Sequence, residues 1–326
     1  MSARFVFYQL GTDASRVWIT QHAIGATMAN LNTSIMGAVP LVLPPLPEQR
    51  AIAHVLGAID DKIDLNRRMA ATLEEMARAL FTSWFVRFDP VRAKMAGQPT
   101  GLPAHIEALF PDALVDSELG EVPEGWGVGP LDSVARFLNG LALQKYPAGD
   151  GPTLPVIKIA QLKAMTTDSA DRCSADLPLE YVVSDGDLLF SWSGSLEVAL
   201  WTAGSGALNQ HLFKVTSNGH PEWFVRHALL AHLPSFRAIA ASKATTMGHI
   251  QRGHLTEALV ALPPADVMQA AALVLGSTEV RLSALGVENR SLTALRDTLL
   301  PKLVSGEVRI TDPEAFLRRA GLDTAA

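Results

Sequence analysis

Cysteine is all but absent. Cys173 is the only one, so no internal disulfide can form and a cysteine-rich zinc site is excluded. A single thiol fits a reducing compartment, and the cytoplasm is the expected location. Such a residue reads as a small buried hydrophobe. Charge of one sign is missing as well. The formal charge is −6, and residues 126–264 hold 10 Lys/Arg against 11 Asp/Glu. No basic surface announces nucleic acid, so any DNA-contacting surface has to be a local patch. No apolar run reaches transmembrane length, and Met1-Ser2-Ala3-Arg4-Phe5 lacks a signal-peptide pattern, so no membrane partner is expected.

Catalytic signatures are missing too. There is no Gly-rich phosphate loop ending in Lys-Ser/Thr, and Gly125, Gly127 and Gly129 have the wrong spacing for a dinucleotide fingerprint. No Asn-Pro-Pro-aromatic or Asp-Pro-Pro-aromatic methyltransferase signature occurs. Ser191-Trp192-Ser193-Gly194-Ser195 lacks the leading glycine of a nucleophile elbow. The nine histidines form no H-E-x-x-H and no i, i+4 metal pair. No catalytic residue, no metal and no cofactor is therefore expected on this chain.

What is present is a repeat. Residues 27–57 and 246–276 align without a gap at an offset of 219, sharing Thr27/Thr246, Met28/Met247, Leu43/Leu262, Pro44/Pro263, Pro45/Pro264, Ala51/Ala270, Val55/Val274, Leu56/Leu275 and Gly57/Gly276. The register runs back to Phe5/Phe224 and forward to Leu80/Leu299. A duplicated reader suggests a two-part target. Met1 aligns with His220, so the first copy is expected to lack the portion matching Leu131–Asn209. A shortened gene, a misassigned start and a recombination remnant all remain open.

A long helix is predicted after Pro47, a residue suited to a first helical turn. Apolar or small side chains at Ile52, Leu56, Ile59, Ile63, Ala70, Leu73, Ala77, Leu80 and Trp84, with Asn66 interrupting, alternate spacings of four and three, which is a coiled-coil seam. The offset carries the seam to Leu275, Leu282, Leu285, Leu292 and Leu299. Each helix would run 35–40 residues, roughly 50–60 Å, and neither can bury its seam alone. Antiparallel packing of the two is favoured. Asn66 and Asn289 fall on the seam, either fixing register or lying at a solvated edge.

Elsewhere, residues 4–20 read as one or two elements, helix or strand. Residues 38–45 read as a short strand ended by prolines. Residues 89–125 read as an ordered, Pro- and Gly-spaced connector. Val156–Ile159 and Asp187–Trp192 read as strands, 221–242 as a helix, and the tail after Gly306 as peripheral. The expected class is α+β: a mixed α/β domain plus two long helices forming an antiparallel coiled coil.

Side chains that read DNA are Asn, Gln, Arg, Lys, Ser, Thr and His on loops held by rigid elements. They concentrate at Asn139-Gly140 to Lys145, at Lys158 to Lys163, at Ser191–Ser195 (Ser193 and Ser195) with Asn209, Gln210 and His211, and at Lys243, Thr245, Thr246, His249, Gln251 and Arg252. Lys243 and Arg252 suit phosphates, His249 and Gln251 suit base edges, and Gly248 would let backbone approach a phosphate. Each segment could equally be an ordinary polar loop.

Three stretches carry a family resemblance: Leu43-Pro44-Pro45-Leu46-Pro47-Glu48-Gln49-Arg50-Ala51-Ile52, Leu80-Phe81-Thr82-Ser83-Trp84-Phe85-Val86-Arg87-Phe88-Asp89-Pro90, and Phe110-Pro111-Asp112 through Trp126. With Leu299–Val308, they resemble the conserved regions of specificity subunits of type I restriction–modification systems. The resemblance implies two target-recognition domains, each reading half of a bipartite DNA site, joined by two antiparallel helices acting as a ruler. It implies a non-catalytic subunit whose partners are double-stranded DNA, methyltransferase subunits and a restriction motor–nuclease subunit. S-adenosylmethionine, ATP and Mg are expected on those partners, and self-association is left open. On this resemblance residues 1–45 are a remnant of a first recognition domain and 46–88 the first conserved helix. Residues 89–125 are a connector, 126–264 a complete second recognition domain, 265–304 the second conserved helix and 305–326 a C-terminal tail.

Overall fold

The computed structural model describes residues 1–24, 30–242 and 248–322. The first helices are α1 (Ala3–Leu10), α2 (Asp13–His22), α3 (Thr33–Gly37) and α4 (Leu46–Phe81), followed by a π-helical turn at Thr82–Val86 and by α5 (Asp89–Met95) and α6 (Ala104–Glu107). Then come β1 (Leu114–Ser117), β2 (Gly120–Pro123), β3 (Gly127–Pro130), α7 (Leu131–Val134), β4 (Ala135–Asn139), β5 (Thr153–Ile157), α8 (Ile159–Ala164) and β6 (Arg172–Ser174). β7 (Val182–Val183), β8 (Leu188–Ser191), β9 (Val198–Leu200), β10 (Gly206–Leu208) and β11 (Leu212–Ser217) complete the sheets that precede α9 (Glu222–Ser242). The chain ends with α10 (Arg252–Glu257), β12 (Leu259–Leu262), α11 (Ala265–Ala272), α12 (Leu275–Val304) and α13 (Pro313–Arg319). The class is α+β.

Two compact units divide the chain, and the boundary falls inside both long helices: residues 1–69 with 288–326, and residues 70–287. In the first unit the helices run antiparallel. Ile52 and Leu56 share a core with Leu303, and Val55, Ile59 and Ile63 share one with Leu292. Lys62 pairs with Glu288 at 3.3 Å and Arg296 with Asp60 at 3.0 Å. Asn66 is fully buried, and its Nδ2 donates to Asn289 Oδ1 at 3.1 Å. The two asparagines therefore form an interior pair rather than a solvated edge. α1 lies on the same helix pair: the Tyr8 hydroxyl donates to Asp60, and burial together with that bond pushes the phenol above its usual range.

Two expectations fail here. The tail after Gly306 is not peripheral, since Leu317 and Leu322 are buried in the core with Val55, Ile59 and Ile63. Residues 38–45 are not a strand. Their counterpart in the second copy, β12, pairs antiparallel with β3, whereas among the described residues no strand pairs with 40–43. Pro40 removes a further donor from that segment.

The second unit holds the sheets. β4-β11-β8-β9 is fully antiparallel, and β6-β5-β10-β7 has one parallel pair, β5/β10. Leu188 and Phe190 of β8 and Phe213 and Val215 of β11 point into a core shared with α9, where Phe190 stacks on Phe236 at 6.0 Å. The π turn swings Trp84 and Phe85 into an aromatic cluster with Phe81, Phe110, Trp126, Trp223 and Phe224. Phe110 and Val122 of the connector are buried in the core that holds this cluster. Phe88 takes the left-handed conformation (φ 56°), held edge-on to Trp126. Buried Arg226 on α9 joins Glu74 of α4 to Glu279 of α12, so the helix pair continues antiparallel within this unit.

The repeat is structural as well as written. α4 begins at Leu46 and α11 at Ala265, one offset apart. α1 and α2 correspond to α9 and α3 to α10, but α9 is unbroken, while Gly11 and Thr12 part α1 from α2. The second long helix likewise divides at Leu273–Val274 into α11 and α12. By length and composition alone Ala265–Val304 is apolar enough to cross a membrane. Its seam residues Leu275, Leu282 and Leu285 are instead buried in protein.

Candidate nucleic-acid interface

β8 carries the chain out of the sheet at Ser191, with all four of its residues buried. The loop that follows, Trp192–Ser195, is pinned from two sides. Ser193 bridges to His249, Gly194 N–H donates to Gly248 O at 2.8 Å, and Ile250 N–H donates to Trp192 O at 3.0 Å. From the other side, Ser193 Oγ lies 3.0 Å from His211 Nδ1, and the Trp192 ring lies 5.9 Å from the His211 ring. The turn Asn209–His211 is itself fixed. Asn209 Oδ1 accepts from His211 N–H at 3.2 Å, Gln210 Nε2 lies 3.4 Å from His211 Nε2, and Gln210 N–H donates to Leu141 O. Gly140 is required beside this turn because a Cβ there would come within 2.3 Å of Asn209 O.

Two of the predicted segments thus meet at one place, with single residues of the other two, Asn139 and Lys163. Lys163 at the end of α8 reaches the same loop, its Nζ 3.3 Å from Ser195 Oγ and 4.0 Å from Glu197. Arg252 is exposed at the start of α10. One of its terminal nitrogens donates to Phe137 O at 3.1 Å, and the guanidinium lies 5.5 Å from the Phe213 ring centre. Gln251 caps α10 and is exposed. An open cavity of about 750 Å³ runs beside Arg252, lined also by Arg136, Phe137, Asn139 and Tyr181.

Ser193 and Asn209 are buried and hydrogen-bonded inside the protein, so their geometry is that of braces. Lys145 lies exposed on the turn Leu143–Lys145, and Lys158 is tied to Asp171. Among the described residues, neither makes a hydrogen bond or ion pair to the cluster. Lys243, Thr245 and Thr246 lie outside the described residues. Gly248 departs from expectation. A Cβ there would stand 2.3 Å from Ala240 O, so the glycine is needed for close packing on α9 rather than for the approach of a phosphate.

At the centre stands Trp192, which the sequence pattern does not single out as a contact, together with Asn139 from the predicted Asn139–Lys145 segment. Trp192 is half-buried, and its indole N–H donates to Asn139 Oδ1 at 2.9 Å. A tryptophan flanked by serines was the available signal, but nothing local placed Asn139, 53 residues away, beside it. Below the cluster, burial pushes His232 beneath its ordinary value, opposed by its 3.0 Å contact with Leu259 O. Among the described residues no group of three or more His, Cys, Asp or Glu side chains could hold a metal.

The fold and site define an internally duplicated α+β protein with paired long helices and an interface of amide, imidazole, hydroxyl and guanidinium groups. Residues 2–75 match the type I restriction modification DNA specificity domain. The chain is 23% identical over 329 residues to the Type I restriction enzyme HindI specificity subunit of Haemophilus influenzae, covering 86% of this chain and 72% of that protein. It is 24% identical over 327 residues to the MjaIX specificity subunit of Methanocaldococcus jannaschii, covering 95% and 70%. By these matches the chain is similar to type I restriction–modification specificity subunits. Among solved structures, it is similar to the type I restriction-modification S subunit from M. genitalium (TM-score 0.48, 18% identity, 93% of this chain and 72% of that one). It is also similar to the HsdS subunit from Thermoanaerobacter tengcongensis (TM-score 0.35, 20% identity, 94% and 71%).

Proposed function

We propose that this chain supplies DNA sequence specificity to a type I restriction–modification complex. It binds double-stranded DNA through residues 126–264 and docks methyltransferase and restriction subunits along its paired helices. It performs no catalysis itself; S-adenosylmethionine, ATP and Mg belong to the partner subunits, and the complex works in the cytoplasm. The observation that carries the reading is the convergence of Trp192–Ser195, Asn209–His211 and Gly248–Arg252 on one rigidly braced surface. Such a surface offers base-reading groups on fixed backbone, and Arg252 and Lys163 add cations for phosphates.

The test is methylation mapping of the host genome with the methyltransferase subunit present, with and without this chain. A new sequence-specific mark supports the reading; a methyltransferase complex that adds no mark contradicts it. One observation favours a second reading, in which the chain binds the methyltransferase without specific DNA recognition. In the first copy, residues 40–43 have no strand partner among the described residues, and Val17, Leu31 and Val42 are exposed.

A further inference from the structure

Trp192 stands at the middle of the braced surface, and its one polar group is already used. The indole N–H is donated to Asn139 Oδ1 at 2.9 Å. The ring is held at a fixed tilt by Phe213 at 6.0 Å, His211 at 5.9 Å and the edge of His249 at 6.3 Å. Backbone bonds at both of its ends, Trp192 N–H to His211 O and Ile250 N–H to Trp192 O, leave the residue little freedom to turn away. An aromatic ring that is only partly exposed, held in place and with its one donor already bonded cannot recognise a base-edge acceptor. It can offer only an apolar surface, and the apolar group that a DNA groove displays is the C5-methyl of thymine.

We infer that Trp192 is a specificity-determining residue that recognises a thymine methyl group, and that Asn139 is its positioning residue. The inference rests on the DNA-reading function proposed above. Asn139 is exposed, unlike the buried Asn209. With Oδ1 turned to the indole, its amide NH2 is directed to the other side, where it can donate to a neighbouring base or phosphate. Arg252 lies at the same edge of the sheet through Phe137 O and Phe213, and supplies a phosphate contact that sets the height of the ring over the groove.

The experiment selects bound duplexes from a pool with a randomised core, using the full chain both alone and mixed with the host methyltransferase subunit. The winning duplex is then remade with deoxyuridine at each thymine in turn. One thymine should matter, with affinity falling about fourfold on loss of its methyl, which corresponds to burial of one methyl group at ~0.8 kcal/mol. In Trp192→Ala the same thymine-to-deoxyuridine change should have no effect. In Trp192→Phe, which keeps an apolar ring, part of the discrimination should return. Asn139→Ala should reduce the discrimination without abolishing binding, and thermal unfolding checks that each variant is folded. An enriched motif whose thymine dependence is unchanged in Trp192→Ala overturns this inference alone. Failure of any motif to emerge, with or without the methyltransferase, overturns the DNA-reading function as well.

Discussion

The two copies share helices but differ in what covers them, and a matched pair of substitutions measures that difference. Phe236 on α9 and Val17 on α2 occupy the same repeat position. Phe236 is 2% exposed and stacked on Phe190, whereas Val17 is 55% exposed. Phe236→Ala removes a ring from a filled core and leaves a cavity, and should cost ~3–5 kcal/mol. Val17→Ala removes two methyl groups already in water and replaces a β-branched residue by the best helix former. Its effect should lie within about 0.5 kcal/mol of zero, on the stabilising side. Two compact units need not unfold together, so the assay is native-state hydrogen exchange followed separately on α9 and α2. Exchange in α9 should accelerate by roughly two to four orders of magnitude in Phe236→Ala, and α2 should be unchanged or slightly slower in Val17→Ala. A loss above about 2 kcal/mol for Val17→Ala would refute the reasoning, because it would mean that the α2 face is covered in solution.

Three further outcomes follow from the geometry. Glu279→Gln weakens the ion pairing of Arg226, a guanidinium that is almost wholly buried; it should lower the stability of residues 70–287 by ~3 kcal/mol, measured by denaturant unfolding, with half-exposed Glu74 limiting the loss. Asn66→Ala leaves Asn289 without its partner and should cost about 1–3 kcal/mol. The double change Asn66→Leu with Asn289→Leu should instead raise the thermal midpoint of the helix pair, as expected of seam asparagines that set register at a cost in stability. For pH, burial depresses His232 in the folded state, so the unfolded chain binds the proton more readily. The stabilisation is then fully present above the ordinary histidine value, near 6.5, and is lost as pH falls through and below it. Melting curves between pH 7.5 and about 5 should show this slope in the wild type and a flatter one in His232→Gln.

Much of the architecture was legible because it depends on local spacing. The seam from Ile52 to Ile63 is buried as its periodicity requires. The start of each long helix follows its proline motif, and the strand at 188–191 and the helix at 222–242 fall where apolar runs and flanking turns place them, whereas the strand read at 156–159 covers 153–157 and Lys158 instead caps α8, which opens at Ile159. The misreadings have a common cause. Residues 38–45 have the composition of a strand, and β12 with nearly the same composition is one, but a strand exists only where another pairs with it. The tail after Gly306 carries no long apolar run that announces a core element, yet packing on the helix pair buries Leu317 and Leu322.

The candidate site divides the same way. Its residue types could be read from the sequence, since polar loops rich in amides, imidazoles and hydroxyls stand out. Their assembly could not. Asn139 meets Trp192 across 53 residues, Ser193 meets His211 across 18, and Arg252 meets Phe137 O across 115. Those encounters are set by the order of strands β4-β11-β8, and no local pattern encodes strand order. The sequence by itself determined the duplication, the helix seam and the list of chemical groups, because each is a property of short-range periodicity and composition. The tertiary structure alone decided that Ser193 and Asn209 are braces, that Gly248 packs against Ala240, and that Trp192 is left half-exposed with its N–H already bonded. Burial and hydrogen-bond partnership are properties of pairs of segments far apart in the chain.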